Sequence, residues 1–335
     1  MKSVFIGIPT LNRPALVRET IQSVLNQTYA NFKVVVSDNV SGGNAADSIE
    51  EFLRGLNDSR FTFHRQSVNE GEYGQGRYLI REAAGHDFFM MLHDDDVLNL
   101  DYLEKAIVAL ERNPSAAYFV ANPFLMNEEG TFSTEDTKAY LASHGRTGRE
   151  EGEFDVLSMH LRNGFTPISG TLFRTAALED SGFVDEDCHG NYPFECDVFL
   201  LLGGRDARGW FSPEELLGFR FHPGSMRNYM GLMENRTVVE RLIFLFSRTR
   251  FSGANERRRK VILSRLYRAK SLHALRGGDT GVCRDYIVRA LRENVLSPKA
   301  WALAPLILFM PRPLKRLLPD SPEYRESPRL PTGHG

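Results

Sequence analysis

The stretch Phe88–Leu98, FFMMLHDDDVL, sets a histidine and three adjacent aspartates directly after five largely apolar residues. A short apolar run bounded by polar residues reads as a buried strand, with the aspartates at its carboxyl end. Three like charges at that spacing repel, so the turn needs a counter-charge. A divalent cation would supply one, because clustered carboxylates are hard oxygen ligands suited to Mg2+ or Mn2+. The alternative is an Asp-rich turn capping the helix expected over 101–112.

Working outward, SVFIGIP (3–9) reads as a buried strand, followed by a helix with Val17, Ile21, Val24 and Leu25 on one face. FKVVVSD (32–38) is a second strand whose unbroken β-branched run suits a parallel strand covered on both faces. A second helix is marked by Ile49, Phe52, Leu53 and Leu56, and FTFHRQ (61–66) is a third strand. A helix over roughly 75–84 leads to the fourth strand, and after the 101–112 helix comes the strand AAYFVANPF (116–124). This alternation predicts an α/β fold with a mostly parallel sheet flanked by helices.

In such sheets ligands gather at the carboxyl ends of the strands. Four strand ends coincide with polar clusters: Pro9-Thr10-Asn12-Arg13, Ser37-Asp38-Asn39, Arg65 to Asn69, and His93 to Asp96. Four on one edge define a site. The glycine-rich phosphate loop of a dinucleotide-binding enzyme is missing after the first strand, where IPTLNRP stands, so nucleotide binding would rest on side chains and a cation.

The 335 residues carry a net charge of −2 that hides an asymmetry: residues 236–335 hold 21 Lys+Arg against 8 Asp+Glu, and the rest of the chain is acidic. Three cysteines without metal-like spacing, Cys188, Cys196 and Cys283, suit free thiols in a reducing compartment. The first residues run straight into a strand, giving no export signal, and the ten-residue apolar run WALAPLILFM (301–310) is half the ~20 residues a membrane span needs. A cytoplasmic protein is expected. Residues 127–165 read as polar, irregular loop or lid material; ISGTLFR (168–174) reads as a strand, and residues near 194–203 as a helix.

The order IPTLNRP, VVVSDNVSGGN, RQSVNEG, MLHDDDVLNLDYLE, ISGTLFR, GFVDE and FRFHPGS resembles the inverting glycosyltransferase family 2, of GT-A fold, over residues 3 to about 228. The resemblance implies a GT-A domain at 1–231, with a nucleotide-binding half to about 126 and an acceptor half beyond it. A basic helical extension would follow at 232–320, and a disordered tail at 321–335. It implies metal-dependent transfer of a sugar from a nucleotide-diphosphate donor, a UDP-sugar foremost, to a glycan or lipid-linked acceptor in cell-envelope polysaccharide synthesis. Asp38 would recognise the base, with Pro9, Thr10, Asn12, Arg13 and Asn69 in the nucleotide pocket. Asp94 would meet the ribose. Asp95 would be the foremost ligand of a Mn2+ or Mg2+ ion, with Asp94, Asp96 and His222 in the metal set. His93 stands where many relatives carry the first aspartate of their D-x-D motif, which leaves the division of labour among His93, Asp94 and Asp95 open. Arg220 would be an anion partner beside His222.

Inverting transfer needs a carboxylate base. The family's Glu-Asp pair is here interrupted as Glu195-Cys196-Asp197, and residues two apart on a helix point about 200° apart. Only one of Glu195 and Asp197 can face the donor, and Asp197 is favoured. The arginines of the C-terminal helices beside Trp301 and its leucines suit peripheral contact with an anionic membrane; nucleic acid is not expected. The rival readings are a non-catalytic sugar-nucleotide-binding protein and a sugar nucleotidyltransferase, which would need a glycine- and arginine-rich triphosphate loop in place of IPTLNRP.

Overall fold

The computed structural model describes residues 1–163, 166–182, 194–221 and 236–318. They fall into two compact units, one ending with residue 221 and one beginning with residue 236. The expected boundary at 231/232, the GFVDE segment after Gly182, His222 and the tail lie outside the described residues.

The first unit is built on one ten-stranded sheet. Strands β1 (Val4–Thr10), β2 (Phe32–Asp38), β3 (Phe61–Arg65) and β4 (Phe88–Met91) lie parallel in the order β3-β2-β1-β4. Helices α1 (Pro14–Leu25), α2 (Ala45–Leu56) and α3 (Gly71–Glu82) connect them. Val34, Val35 and Val36 are buried, as a strand covered on both faces requires. Pro14 opens α1, where a missing N–H costs nothing, and Asn57 ends α2 in the left-handed conformation.

After β4 the chain leaves the middle of the sheet and rejoins it at β5 (Val97–Leu98), so the aspartate turn runs across the sheet's end. Helix α4 (Tyr102–Arg112) leads to β6 (Ala116–Met126). The segment expected to be irregular is instead structured: β7 (Phe132–Ser133), α5 (Thr134–Ser143), β8 (Gly152–Asp155) and α6 (Val156–Asn163). Two local causes account for this. Ser133 caps α5 by accepting a hydrogen bond from the Asp136 N–H, worth about 1 kcal/mol, and β8 gains a ladder by pairing antiparallel with the later strand β10 (Arg208–Arg220).

Strand β9 (Leu172–Arg174) runs antiparallel between β4 and β6, α7 (Thr175–Ser181) and α8 (Phe194–Gly204) follow, and β10 (Arg208–Arg220) lies parallel to β6. The carboxyl ends of β1, β2, β6 and β10 share one edge with the aspartate turn. Just before β9, Gly170 has φ +71°, donates its N–H to the Met91 carbonyl at 2.9 Å, and accepts at its own carbonyl from the Tyr102 hydroxyl. A Cβ there would stand 2.6 Å from the Leu217 methyls.

The second unit is helical: α9 (Arg236–Arg248), α10 (Gly253–Gly277), α11 (Thr280–Glu293), α12 (Pro298–Phe309) and α13 (Pro311–Leu317). Gly278 in the left-handed conformation and the Asp279 cap turn α10 into α11. Across that hairpin Ser264 donates to the Ala290 carbonyl and Ser271 to the Cys283 carbonyl, at 2.7 and 2.6 Å. Pro305 lies inside α12 and Pro311 opens α13, so only the second of these two prolines breaks the helical run.

Gly170→Ala is expected to lower stability by about 2–3 kcal/mol, since it meets both backbone strain and the Leu217 contact. Gly182→Ala has a similar φ of +72° and nothing among the described residues within 4 Å of the added Cβ, so it should cost only about 1 kcal/mol. Thermal melts of the two variants check the difference; equal losses would mean the Leu217 contact is relieved by a small shift.

Candidate active site

The three adjacent aspartates avoid one another by pointing to different partners. Asp94 accepts from the Thr10 hydroxyl at 2.7 Å and from Arg13 Nη1 at 3.0 Å, using both carboxylate oxygens. Asp95 accepts from the same Arg13 nitrogen at 3.2 Å. Asp96 accepts from the Ser169 hydroxyl at 2.5 Å and from the Arg220 backbone N–H at 3.2 Å, while its carbonyl accepts from Thr20 at 2.8 Å. All three are buried. Part of the counter-charge sought in the sequence is therefore Arg13, supplied by the loop after β1.

The ligand atoms of His93, Asp95 and Asp96 lie within 4.8 Å of one another, and no other such cluster of histidine, cysteine or acidic groups occurs among the described residues. Burial works against a charged His93 imidazole, but Asp96, Glu72, Asp95 and Glu195 around it outweigh that and hold its pKa above the ordinary value. Burial, reinforced by the Asp95 charge, pushes Asp96 up to about 7. Asp94 is also raised by burial, with Arg13 opposing. A group of this kind gains from a divalent ion, and two carboxylates with one imidazole form a donor set that fits Mn2+ well and Mg2+ less well. Asp94, counted with the metal set from the sequence, is instead turned to Thr10 and Arg13.

Asp38, at the end of β2, is fully buried; one carboxylate oxygen accepts from the Ser41 N–H at 3.0 Å and the other, Oδ1, has no partner among the described residues. Beside it, Asn12 in a left-handed conformation accepts from the Gly42 N–H at 2.7 Å, and Asn69 accepts from Asn39 and Gly71 at 3.0 Å each. Pro9, paired with Ser37 in the sheet, completes this corner. The structure thus gathers Pro9, Thr10, Asn12, Arg13, Asp38, Asn69 and Asp94 on one edge.

Arg220 departs from its expected use. Its side chain is 2% exposed, and its donors reach the Asp95 carbonyl at 3.2 Å, the Glu128 carbonyl at 3.0 Å and the Glu19 carboxylate. It braces the aspartate turn from behind and presents no guanidinium surface to a diphosphate.

The two candidate bases separate as helical geometry requires. Asp197 is 1% exposed and accepts from the Tyr73 hydroxyl at 2.7 Å; burial raises its carboxyl to about 6, with Tyr73 opposing. Glu195, on the other side of α8, keeps partial solvent access. Burial and the Glu72 charge raise it to about 7, with His93 and a backbone hydrogen bond from Ile168 opposing. Asp197 was favoured from the sequence, but the inward turn of α8 spends that carboxylate on Tyr73, and Glu195 is the one that keeps solvent access. Glu72, in the first turn of α3, was missed in the sequence because it lies in no motif. Its carboxyl is raised by burial, yet it is solvent-accessible, as are Glu195 and His93 in part, the combination expected of side chains lining a cleft.

Residues 5–170 match the family model described as Glycosyl transferase family 2. The chain belongs to that family. Among curated proteins, this family 2 chain is 28% identical over 178 residues to a poly-beta-1,6-N-acetyl-D-glucosamine synthase of Staphylococcus epidermidis, covering 52% of this chain and 40% of that one. It is 26% identical over 195 residues to the GalNAc(5)-diNAcBac-PP-undecaprenol beta-1,3-glucosyltransferase of Campylobacter jejuni, covering 57% of each. The alignments thus span less than two thirds of either relative. Among solved structures, S. aureus TarS 1–349 in complex with UDP-GlcNAc superimposes with a TM-score of 0.65 at 15% identity, covering 92% of this chain and 87% of that one. The mannosyltransferase PcManGT of Pyrobaculum calidifontis, in complex with GDP-Man and Mn2+, gives 0.53 at 15%, covering 94% and 82%. The fold is accordingly GT-A-like, a mostly parallel sheet flanked by helices with a helical C-terminal region.

The raised Asp197 carboxyl has a consequence for stability. Its folded pKa of about 6 lies above the ordinary 3.8, so the native state holds a proton that the unfolded chain releases first. This contribution is full below about pH 4 and is lost as pH rises through about 6, a span worth at most about 3 kcal/mol. Asp197→Asn should flatten the decline in melting temperature between pH 4 and 7, as measured by calorimetry at several pH values. An unchanged slope would show that Asp197 ionises freely in the fold.

Proposed function

We propose that the protein transfers a sugar, with inversion, from a nucleotide-diphosphate donor to a hydroxyl of a glycan or lipid-linked acceptor. The observation that carries this reading is the pairing of a cleft-facing carboxylate, Glu195, with the His93-Asp95-Asp96 cluster at the strand ends. Glu195 would take the proton from the acceptor hydroxyl as that oxygen attacks the anomeric carbon. A pKa of about 7 suits a base working near neutrality, and the rate should rise with pH as Glu195 ionises.

The unpartnered buried oxygen of Asp38 is an acceptor awaiting a donor, and the ring N–H of uracil supplies one, which supports a UDP-sugar. Arg13, partly exposed beside Asp94 and Asp95, is assigned to the donor's diphosphate in place of Arg220. Asp95, Asp96 and His93 would hold a Mn2+ or Mg2+ ion, which neutralises charge on the leaving diphosphate when bound; His222 is proposed with them. The names of the relatives, a poly-N-acetylglucosamine synthase and a glucosyltransferase acting on an undecaprenol-linked glycan, support assembly of a cell-envelope polysaccharide.

The test is release of nucleoside diphosphate from a panel of UDP-, GDP- and dTDP-sugars with Mn2+ or with EDTA. Metal-dependent release from one donor is expected. Glu195→Gln should keep UDP and Mn2+ binding and lower turnover by about 10²–10⁴-fold. Asp95→Ala should lose metal-dependent UDP binding, and Asp197→Asn should keep turnover. An active Glu195→Gln variant beside an inactive Asp197→Asn variant would move the base to Asp197.

A further inference from the structure

Helix α12 has no charged residue between Ala300 and Phe309, and it is apolar on every side. Helices of that kind are ordinarily enclosed. Here only one side is: Ala300, Ala304 and Ile307 are buried. The opposite side leaves Trp301 56% exposed, Leu306 40%, Phe309 81%, and the adjoining Met310 52%. Trp301 donates its ring N–H to the Val295 carbonyl at 2.7 Å, so what it offers outward is hydrocarbon. A contiguous apolar face of this size on a folded unit marks a surface made for contact.

The charge around it identifies the contact. Residues 294–318 contain Lys299, Arg312, Lys315 and Arg316 and no acidic residue, and all four basic side chains are exposed. Where α12 gives way to α13, an open pocket of about 450 Å³ is lined by Phe309, Met310, Pro313, Arg284 and Arg312, joining apolar walls to two guanidinium groups. A lipid surface presents the same pairing in reverse, acyl chains beneath anionic phosphates. No helix of the described residues is long and apolar enough to cross a membrane.

We propose that α12 and the basic α13 form a docking surface for an anionic lipid bilayer, with Trp301, Leu306 and Phe309 entering the interface and Arg284, Arg312, Lys315 and Arg316 meeting lipid phosphates. Lying in the interface satisfies both halves of the surface at once. The inference deepens the lipid-linked acceptor reading but does not rest on it, and a silent donor assay would leave it standing.

The test uses the full chain with two kinds of vesicle, pure phosphatidylcholine and phosphatidylcholine with phosphatidylglycerol. Co-sedimentation with the anionic vesicles alone is expected, weakening at high salt. Trp301→Glu with Phe309→Glu should abolish it. Arg312→Gln with Lys315→Gln and Arg316→Gln should weaken it by about two orders of magnitude, since each charge near the surface is worth roughly fivefold in affinity. Unchanged melting temperatures confirm that these exposed positions leave the fold intact. Independently, Trp301 fluorescence in a Trp210→Phe background should shift to the blue on anionic vesicles. Failure of the wild type to bind, or wild-type binding by both multiple variants, would overturn the proposal. So would a wild-type dimer that ignores vesicles and dissociates on Trp301→Glu, which would give the face to a second copy of the chain.

Discussion

The candidate site depends on how one carboxylate is tied. Asp96 is buried, which alone would make its charge costly, and it is held by the Ser169 hydroxyl and the Arg220 N–H while Thr20 takes its carbonyl. Those three partners come from the loop before β9, the end of β10 and helix α1. A single residue thereby registers three separate pieces of the sheet edge against the aspartate turn. Gly170 serves the same end, because its left-handed conformation lets the chain turn where Ser169 meets Asp96. Arg220 closes the arrangement from behind through the Asp95 carbonyl.

With Asp96 tied, its neighbours fall into place electrostatically. Asp94 is drawn to Thr10 and Arg13, which leaves Asp95 and Asp96 facing His93. Glu72 and Glu195 then add negative charge within electrostatic reach of that imidazole. The strand ends gather carboxylates whose protons are held unusually tightly, a state that favours cation binding.

Much of this was legible in the residues. The alternation of strands and helices, the four polar strand ends and the HDDD turn all follow from short-range pattern, and the family-level fold is a consequence of their order. What escaped was whatever depends on rotation or on distant partners. The sequence separates Glu195 from Asp197 by about 200° but does not say which side of α8 faces Tyr73. Arg220 looked like an anion partner because an arginine beside a histidine has no visible competitor; its three partners, Glu19, Asp95 and Glu128, lie far away in sequence. Glu72 sits in a helix with an ordinary amphipathic pattern, and only the packing of α3 and α8 brings it near Glu195. Residues 127–163 looked irregular because their strands are short and their ladder partners, β6 and β10, are remote.

The ties on Asp96 also bear on how the molecule comes to be folded. Thr20, Ser169 and Arg220 reach it across 76, 73 and 124 residues of chain. Contacts of such separation close large loops, and that entropy must be met before the bonds repay it. The β1–β4 half can pair as soon as it is made, whereas the aspartate turn waits for β10. Until β10 is in place the aspartate turn lacks the Arg220 N–H that holds Asp96. The cluster is complete only once the last strand of the first unit has joined the sheet.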